Sequence, residues 1–182
     1  MGRFQVWLHD TLARGTSVAD FMRTDWGWPT IESVHFIGLT LLFGTIAVWD
    51  LRLLGMAKRV PMTEFHRLIP FAVLGFAINA TSGSMFLMTE PNQYLYNPAF
   101  HFKLLLVGLA GLNILAFYST VFRRLGTLAP GVDAPRVAKL FGAVSLMCWG
   151  GVIVCGRLIT FYRPGPCGPG DAIAFVLECI PQ

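Results

Sequence analysis

The sequence predicts an all-α integral membrane protein, a four-helix bundle preceded by an amphipathic interfacial helix. Of the 182 residues, 54% are hydrophobic and only 13% are charged, about half the charged fraction of a typical soluble domain. Polar residues separate four apolar stretches, at about 30–56, 67–89, 99–122 and 137–162. Each is longer than the roughly 20 residues that a helix needs to cross a bilayer. We therefore expect one membrane domain over residues 29–163.

Residues 1–28 are expected to form an exterior amphipathic segment. Apolar side chains recur on one helical face at Phe4, Trp7, Leu8 and Leu12, which is the pattern of a helix lying in the membrane interface. Ser17 and Asp20 predict the start of a second short helix. Because the segment carries several aspartates and lacks a continuous apolar core, it does not resemble a cleavable signal peptide.

The distribution of basic residues predicts the orientation in the membrane. The loops after the first and third stretches are basic, with Arg52, Lys58, Arg59 and Arg67 in one and Arg123, Arg124, Arg136 and Lys139 in the other. Residues 90–100 contain Glu90 and no basic residue. The positive-inside rule places the two basic loops in the cytoplasm. We expect a bacterial inner-membrane protein with both termini in the periplasm, and no nucleic-acid partner, since no basic-aromatic binding pattern is present.

Residues 164–182 are expected to form an exterior tail. There Cys167 and Cys179 could form a disulfide closing a loop of about a dozen residues, because an exterior compartment permits oxidation. Asp171 could cap a short helix near 172–178. Cys148 and Cys155, inside the fourth stretch, are interpreted as small buried hydrophobic residues.

Two histidines lie at matching depth and mark the candidate functional site. His35 and His101 each follow the proline that opens their stretch, Pro29 and Pro98. Ionisable side chains at such depth are costly and usually have a partner or a function. Imidazoles from facing bundle helices are a common way to hold haem or a metal. The predicted topology brings further polar or sulfur-bearing side chains to the same leaflet: Glu32, Met85, Met88, Lys103 and Arg157.

Three interpretations of this site stay open from the sequence. For haem b, His35 and His101 would ligate the iron, Lys103 and Arg157 would pair with the propionates, and Glu32 would orient an imidazole. For copper, the same histidines would act with Met85, Met88 and His9, because imidazole and thioether ligands suit Cu(I). Otherwise Glu32 pairs with Lys103 or Arg157, and the histidines bond to backbone carbonyls or tyrosines.

Polar residues elsewhere in the stretches are given structural roles. Asp50 and Arg52 are expected to form an ion pair or contact lipid headgroups. Asn79 and Asn113, near the midplane, are expected to form hydrogen bonds between helices. His66, beside Arg67, is expected to be an interface residue without a ligand.

Three segments carry a resemblance to a known group: PTIESVHFIGLTLLFGTIAVWDLRLLG (29–55), TSGSMF (81–86) and NPAFHFKLLL (97–106). Over roughly residues 28–125 the chain resembles a family of uncharacterised bacterial integral membrane proteins. It is more distantly similar to CopD-like copper-resistance membrane proteins, which pair an early membrane histidine with a lysine that opens a later helix. The resemblance implies the fold. It matches a Glu-x-x-His motif at Glu32 and His35 and an Asn-Pro-x-Phe-x-x-Lys motif from Asn97 to Lys103.

From these observations we expect a haem b-binding protein for electron transfer, exchanging electrons with quinol or a periplasmic redox protein. The alternatives are a copper-handling or copper-permeation protein and a cofactor-free scaffold subunit. Homo-oligomers are expected, because small residues allow membrane helices to pack closely. No nucleophile triad, phosphate loop or zinc signature is present, so a conventional enzyme is not expected.

Overall fold

A computed structural model describes residues 17–122, 131–166 and 179–180 of the chain, the last two through their backbone. Several predictions fall outside these described residues. They are the N-terminal interfacial helix with His9, the Cys167–Cys179 disulfide and the short helix near 172–178.

The described chain is almost entirely helical. Four long helices follow one another, α2 (Gly27–Leu54), α4 (Ile69–Thr89), α6 (Pro98–Thr120) and α7 (Arg136–Phe161). Short helices precede three of them, α1 (Ser17–Met22), α3 (Met62–His66) and α5 (Pro91–Leu95). All four long helices are long and apolar enough to cross a membrane. The membrane-length stretch that contains α4 begins at Glu64, before the helix itself. The predicted all-α fold with four membrane-length helices is confirmed, and the chain is a multi-pass membrane protein.

The helix ends lie within three residues of the predicted ends, and the prolines explain part of the difference. Helix α2 begins at Gly27, before Pro29. A proline in the first turn costs little, because the amide hydrogen it lacks has no acceptor within the helix there. Pro98 begins α6 itself, and the Asn97 side chain before it accepts a hydrogen bond from the Ala99 amide at 3.0 Å. This bond caps the helix.

Large apolar side chains cover the exposed faces of the long helices. Ile37, Val73, Leu112 and Met147 are each more than 60% exposed. A water-soluble protein rarely exposes so much contiguous apolar surface, whereas lipid requires it. These faces are therefore expected to contact lipid chains.

The chain divides into two compact units, each built from segments of all four long helices. The His35 unit contains the residues up to Phe36, Ile78–Leu104 and the residues from Ile153 onward. The Asp50 unit contains Ile37–Ala77 and Leu105–Val152.

In the Asp50 unit, small residues bring helices into direct backbone contact. A Cβ added at Gly75 of α4 would lie 2.5 Å from the Leu42 nitrogen and 2.8 Å from the Gly38 oxygen, both on α2. A Cβ added at Gly142 of α7 would lie 3.1 Å from the backbone carbonyl oxygen of Asp50 on α2. An apolar cluster lies in the same unit, with Leu53, Phe117, Val121, Ala134 and Ala138 buried at its centre.

One exposed carboxylate, Asp133, joins two connections of the Asp50 unit. Its Oδ2 lies 3.0 Å from the Lys58 ammonium and 2.9 Å from the Lys139 ammonium. The Gly131 amide donates to the Lys58 carbonyl at 3.0 Å. The chain after α2 is thus held to the beginning of α7.

Substituting Asp133 with asparagine is expected to lower stability at neutral pH and to have no effect in acid. Hydrogen bonds from Lys139 and Lys58 hold the pKa of Asp133 below its usual value. A depressed carboxyl pKa stabilises the folded state above the unfolded-state pKa, about 3.9, and the contribution is lost as the pH falls through the folded-state pKa. Melting temperatures of the wild type and the variant should therefore differ at pH 7 and converge as the pH falls below the folded-state pKa of Asp133. A difference that persists at low pH would contradict this account.

Beyond α7 the described tail contains a short parallel strand pair that the sequence did not predict. Strand β1 (Gly165–Pro166) pairs with β2 (Cys179–Ile180), with Gly165 opposite Cys179. The end of the tail therefore returns to the residues that follow α7.

Candidate functional site

The imidazole of His35 is held in one tautomer by α4. Its Nδ1 lies 2.8 Å from the Ser82 hydroxyl oxygen, and that hydroxyl donates its proton to the Ile78 carbonyl at 2.7 Å. Because a hydroxyl has only one proton to donate, the Nδ1 of His35 must be the donor in the first bond. Nε2 then carries the lone pair, which is the form of neutral imidazole that ligates a metal.

Aromatic and small residues surround this imidazole. The Phe86 ring lies edge-on to it, with centroids 5.6 Å apart, and Trp28 lies against Phe86 at 4.9 Å. A Cβ added at Gly83 would be 3.9 Å from the His35 Cε1. The neutral ring is therefore set in an apolar surrounding with one polar partner.

The charge of Lys103, on α6, acts on the His35 imidazole. Lys103 also interacts with Cys155 of α7. A Cβ added at Gly156 would be 3.6 Å from the Lys103 Nζ, an ordinary van der Waals contact, so the ammonium group lies beside α7. Among the described residues Lys103 has no carboxylate partner.

His101 is placed differently from His35. Its Nδ1 lies 2.9 Å from the Asn97 carbonyl of its own chain segment, which can only accept, so Nδ1 is the donor in that bond. However, His101 and Lys103 are two residues apart and so lie about 200° apart around the helix. Since Lys103 is directed toward Gly156 and His35, His101 lies on the other side of α6, near Leu104, which is 52% exposed. The structure brings Lys103, rather than His101, to His35.

Glu32 and Arg157 both have exposed side chains in the His35 unit. Glu32 is exposed, and Ser82, rather than Glu32, orients His35. Burial, followed by the charges of Glu32 and Glu90, raises the pKa of Tyr94 to about 12, so Glu32 acts on that phenol. The Arg157 guanidinium is exposed and lies 5.1 Å from the Phe161 ring centroid. In the described ranges neither Glu32 nor Arg157 forms an ion pair.

The sulfur-containing candidates form no recognisable metal cluster. Met85 and Met88 are half-buried on α4, beside Phe86. Cys148 and Cys155 are free thiols, and Cys148 is buried as predicted. No group of three or more His, Cys, Asp or Glu side chains that could hold a metal ion occurs within residues 17–122 and 131–166.

A second polar centre, which the sequence analysis did not single out as a site, lies in the Asp50 unit. Asp50 is only 3% exposed. The Ser145 side chain forms a hydrogen bond with its carboxyl group, but the Oδ2 oxygen has no partner among the described residues. Arg52 donates instead to the carbonyls of Val60 at 3.0 Å and Lys58 at 3.1 Å. The predicted Asp50–Arg52 ion pair is therefore wrong.

Asp50 lines a cavity of about 330 Å³. The cavity wall is mostly apolar and aromatic, and its polar members include Asn113, Tyr118 and Ser145. The Asn113 amide donates to the Phe141 carbonyl of α7 at 3.1 Å, which confirms the predicted hydrogen bond between helices for this residue. Asp50, whose Oδ2 has no hydrogen-bond partner among the described residues, thus lies in the wall of a space large enough for a small molecule.

No family model, curated protein or solved structure matches this chain. Fold and geometry define a multi-pass helical membrane protein with two separate polar centres, one at His35 and one at Asp50.

Proposed function

We propose that the protein binds haem b and transfers electrons on the periplasmic side of a bacterial inner membrane, with His35 as an axial ligand of the iron. The single observation that carries the proposal is the 2.8 Å contact between His35 Nδ1 and the Ser82 hydroxyl oxygen, which engages one ring nitrogen and leaves Nε2 as the atom that could ligate the iron. Metal-bound histidines commonly have such a partner on their other nitrogen.

The residues around His35 fit a haem in three respects. Phe86 and Trp28 supply aromatic surface for a macrocycle. Lys103, without a carboxylate among the described residues, could pair with a propionate, and the exposed Arg157 could pair with the other. Bound haem would supply one-electron chemistry. Ser82 would keep the His35 imidazole oriented, and Lys103 would balance the negative charge of a propionate.

The second residue to hold the haem would be a methionine rather than His101. His101 lies on the side of α6 away from Lys103, whereas Met85 lies on α4 between Ser82 and Phe86 in sequence order. Methionine with histidine is an established axial pair for haem iron. Association of copies through small residues on the helix faces belongs to the same proposal.

An absorption spectrum of the purified protein tests the proposal. We expect a Soret band in the wild type and its loss in His35→Ala, since the iron would lose its ligand. Ser82→Ala should weaken haem retention by about 10- to 100-fold, the usual effect of removing a partner that orients a ligand. His66→Ala is the matched control, because His66 is exposed and lies against Phe122 at 5.2 Å in the other unit.

Two outcomes would contradict the proposal. A folded, colourless and metal-free preparation would favour the scaffold alternative. Copper without haem in a metal analysis would favour the copper-handling alternative, which the resemblance to CopD-like proteins suggests.

A further inference from the structure

We infer that the cavity of the Asp50 unit binds the ring of a lipid-soluble quinol, and that Asp50 accepts a hydrogen bond from one of its hydroxyl groups. The inference names a second site and a ligand class, and it does not require that His35 binds haem.

The size and surroundings of the cavity suit an aromatic ring that arrives from the bilayer. A volume of about 330 Å³ falls in the range of small-molecule pockets. Trp49 and Trp149 are among the residues of its wall. Val73, Phe76 and Ile114 also line it and are 63%, 46% and 49% exposed. Because these side chains belong to both the cavity wall and the lipid-facing surface, the cavity is accessible from the membrane.

Asp50 specifies the polar group of the ligand. A buried carboxyl oxygen without a donor is costly, and nearly all such groups in folded proteins have a partner. Asp50 Oδ2 lacks one among the described residues, whereas Ser145 already bonds to the same carboxyl group. An ionised carboxyl oxygen only accepts hydrogen bonds, so the missing partner of the carboxylate form is a hydrogen-bond donor. A quinol hydroxyl is such a donor on an apolar, planar molecule, while a lipid acyl chain offers none.

The reduced ligand should bind better than the oxidised one. A quinone has carbonyl oxygens in place of the two hydroxyls, and two acceptors facing each other do not form a hydrogen bond. The structure thus predicts a preference for the quinol that depends on Asp50 and is lost when Asp50 loses its acceptor.

Calorimetric titration of the full-length protein in detergent with decylubiquinol, kept reduced, and with decylubiquinone tests the inference. We expect the wild type to bind the quinol at least tenfold more tightly than the quinone. Asp50→Asn should weaken quinol binding by about tenfold or more, the effect of losing a hydrogen bond to a charged group, and should abolish the preference.

A matched pair of glycine variants tests the cavity itself without changing Asp50. Gly111 lines the cavity and an added Cβ would meet nothing within 4 Å, so Gly111→Leu should fill the space and abolish binding. Gly108, on the same helix, also has open space around it but does not line the cavity. Gly108→Leu should bind like the wild type.

Equal binding by the two leucine variants, no quinol binding by the wild type, or retention of phospholipid with no response to either titrant would overturn the inference. Because calorimetry does not depend on the Soret band, this result is separate from that of the haem proposal.

Discussion

Replacing Asn97 with alanine is expected to destabilise the protein by about 3 kcal/mol, from the loss of a helix cap and of two buried hydrogen bonds. Asn97 has no exposed surface. Its Oδ1 caps α6 by accepting from the Ala99 amide, and its Nδ2 donates to the carbonyls of Ile159 at 3.2 Å and Tyr162 at 2.6 Å. One side chain therefore satisfies the beginning of α6 and the end of α7.

Unfolding in a denaturing detergent, followed by circular dichroism, would measure this effect. Asn97→Asp should be at least as damaging as alanine, because aspartate keeps the cap acceptor but sets a carboxylate against two carbonyl oxygens. Asn92→Ala is the control. Asn92 is half-buried on α5, and its substitution should change stability by no more than about 0.5 kcal/mol. Equal effects at positions 92 and 97 would refute the role given to Asn97.

The second large effect is expected at Gly75. Alanine there would place its Cβ 2.5 Å from the backbone nitrogen of Leu42, and backbone cannot rotate away as a flexible side chain can. Helices α2 and α4 would have to separate at their contact. We expect a loss of about 2–3 kcal/mol, at the upper end of ordinary overpacking, measured by the same unfolding titration.

Gly44 provides a control at which alanine is not expected to lower the stability. It lies on α2, and an added Cβ would meet nothing within 4 Å. Gly44→Ala should therefore be neutral or stabilise the protein by up to about 1 kcal/mol, because alanine has the higher helix propensity. If Gly75→Ala were as well tolerated as Gly44→Ala, the close contact between α2 and α4 would be wrong.

The sequence was sufficient for the fold because lipid imposes a simple requirement. A run of about 20 apolar residues is needed for each crossing, and the runs that contain His35, Asn79, His101 and Cys148 all became long helices. The exact ends were less predictable, since proline is tolerated in the first turn of a helix and Pro29 therefore does not mark the start of α2.

The candidate site was predicted only in part, because depth along a helix does not give the direction of a side chain. Matching depth placed His35, His101 and Lys103 near one end of their helices. Direction around α6 then separated His101 from Lys103, as the spacing of two residues requires. The same spacing argues against an Asp50–Arg52 pair.

Two features had no usable signal in the sequence. Ser82 is one of several small polar residues in α4, and only its distance to His35 reveals its role. The cavity beside Asp50 depends on packing between segments distant in sequence, so neither its volume nor the missing donor at Oδ2 can be read from composition or periodicity.

The bridging carboxylate of Asp133 has a mechanical consequence. Because it contacts Lys58 and Lys139 together, the chain that leaves α2 and the first turns of α7 cannot shift independently while both contacts last. A molecule that pulled on the turn around Lys58 would transmit its force to α7. Neutralising Lys139 alone would leave the Lys58–Asp133 contact between the two segments in place, whereas neutralising Lys58 or Asp133 would remove the ion pair that joins them.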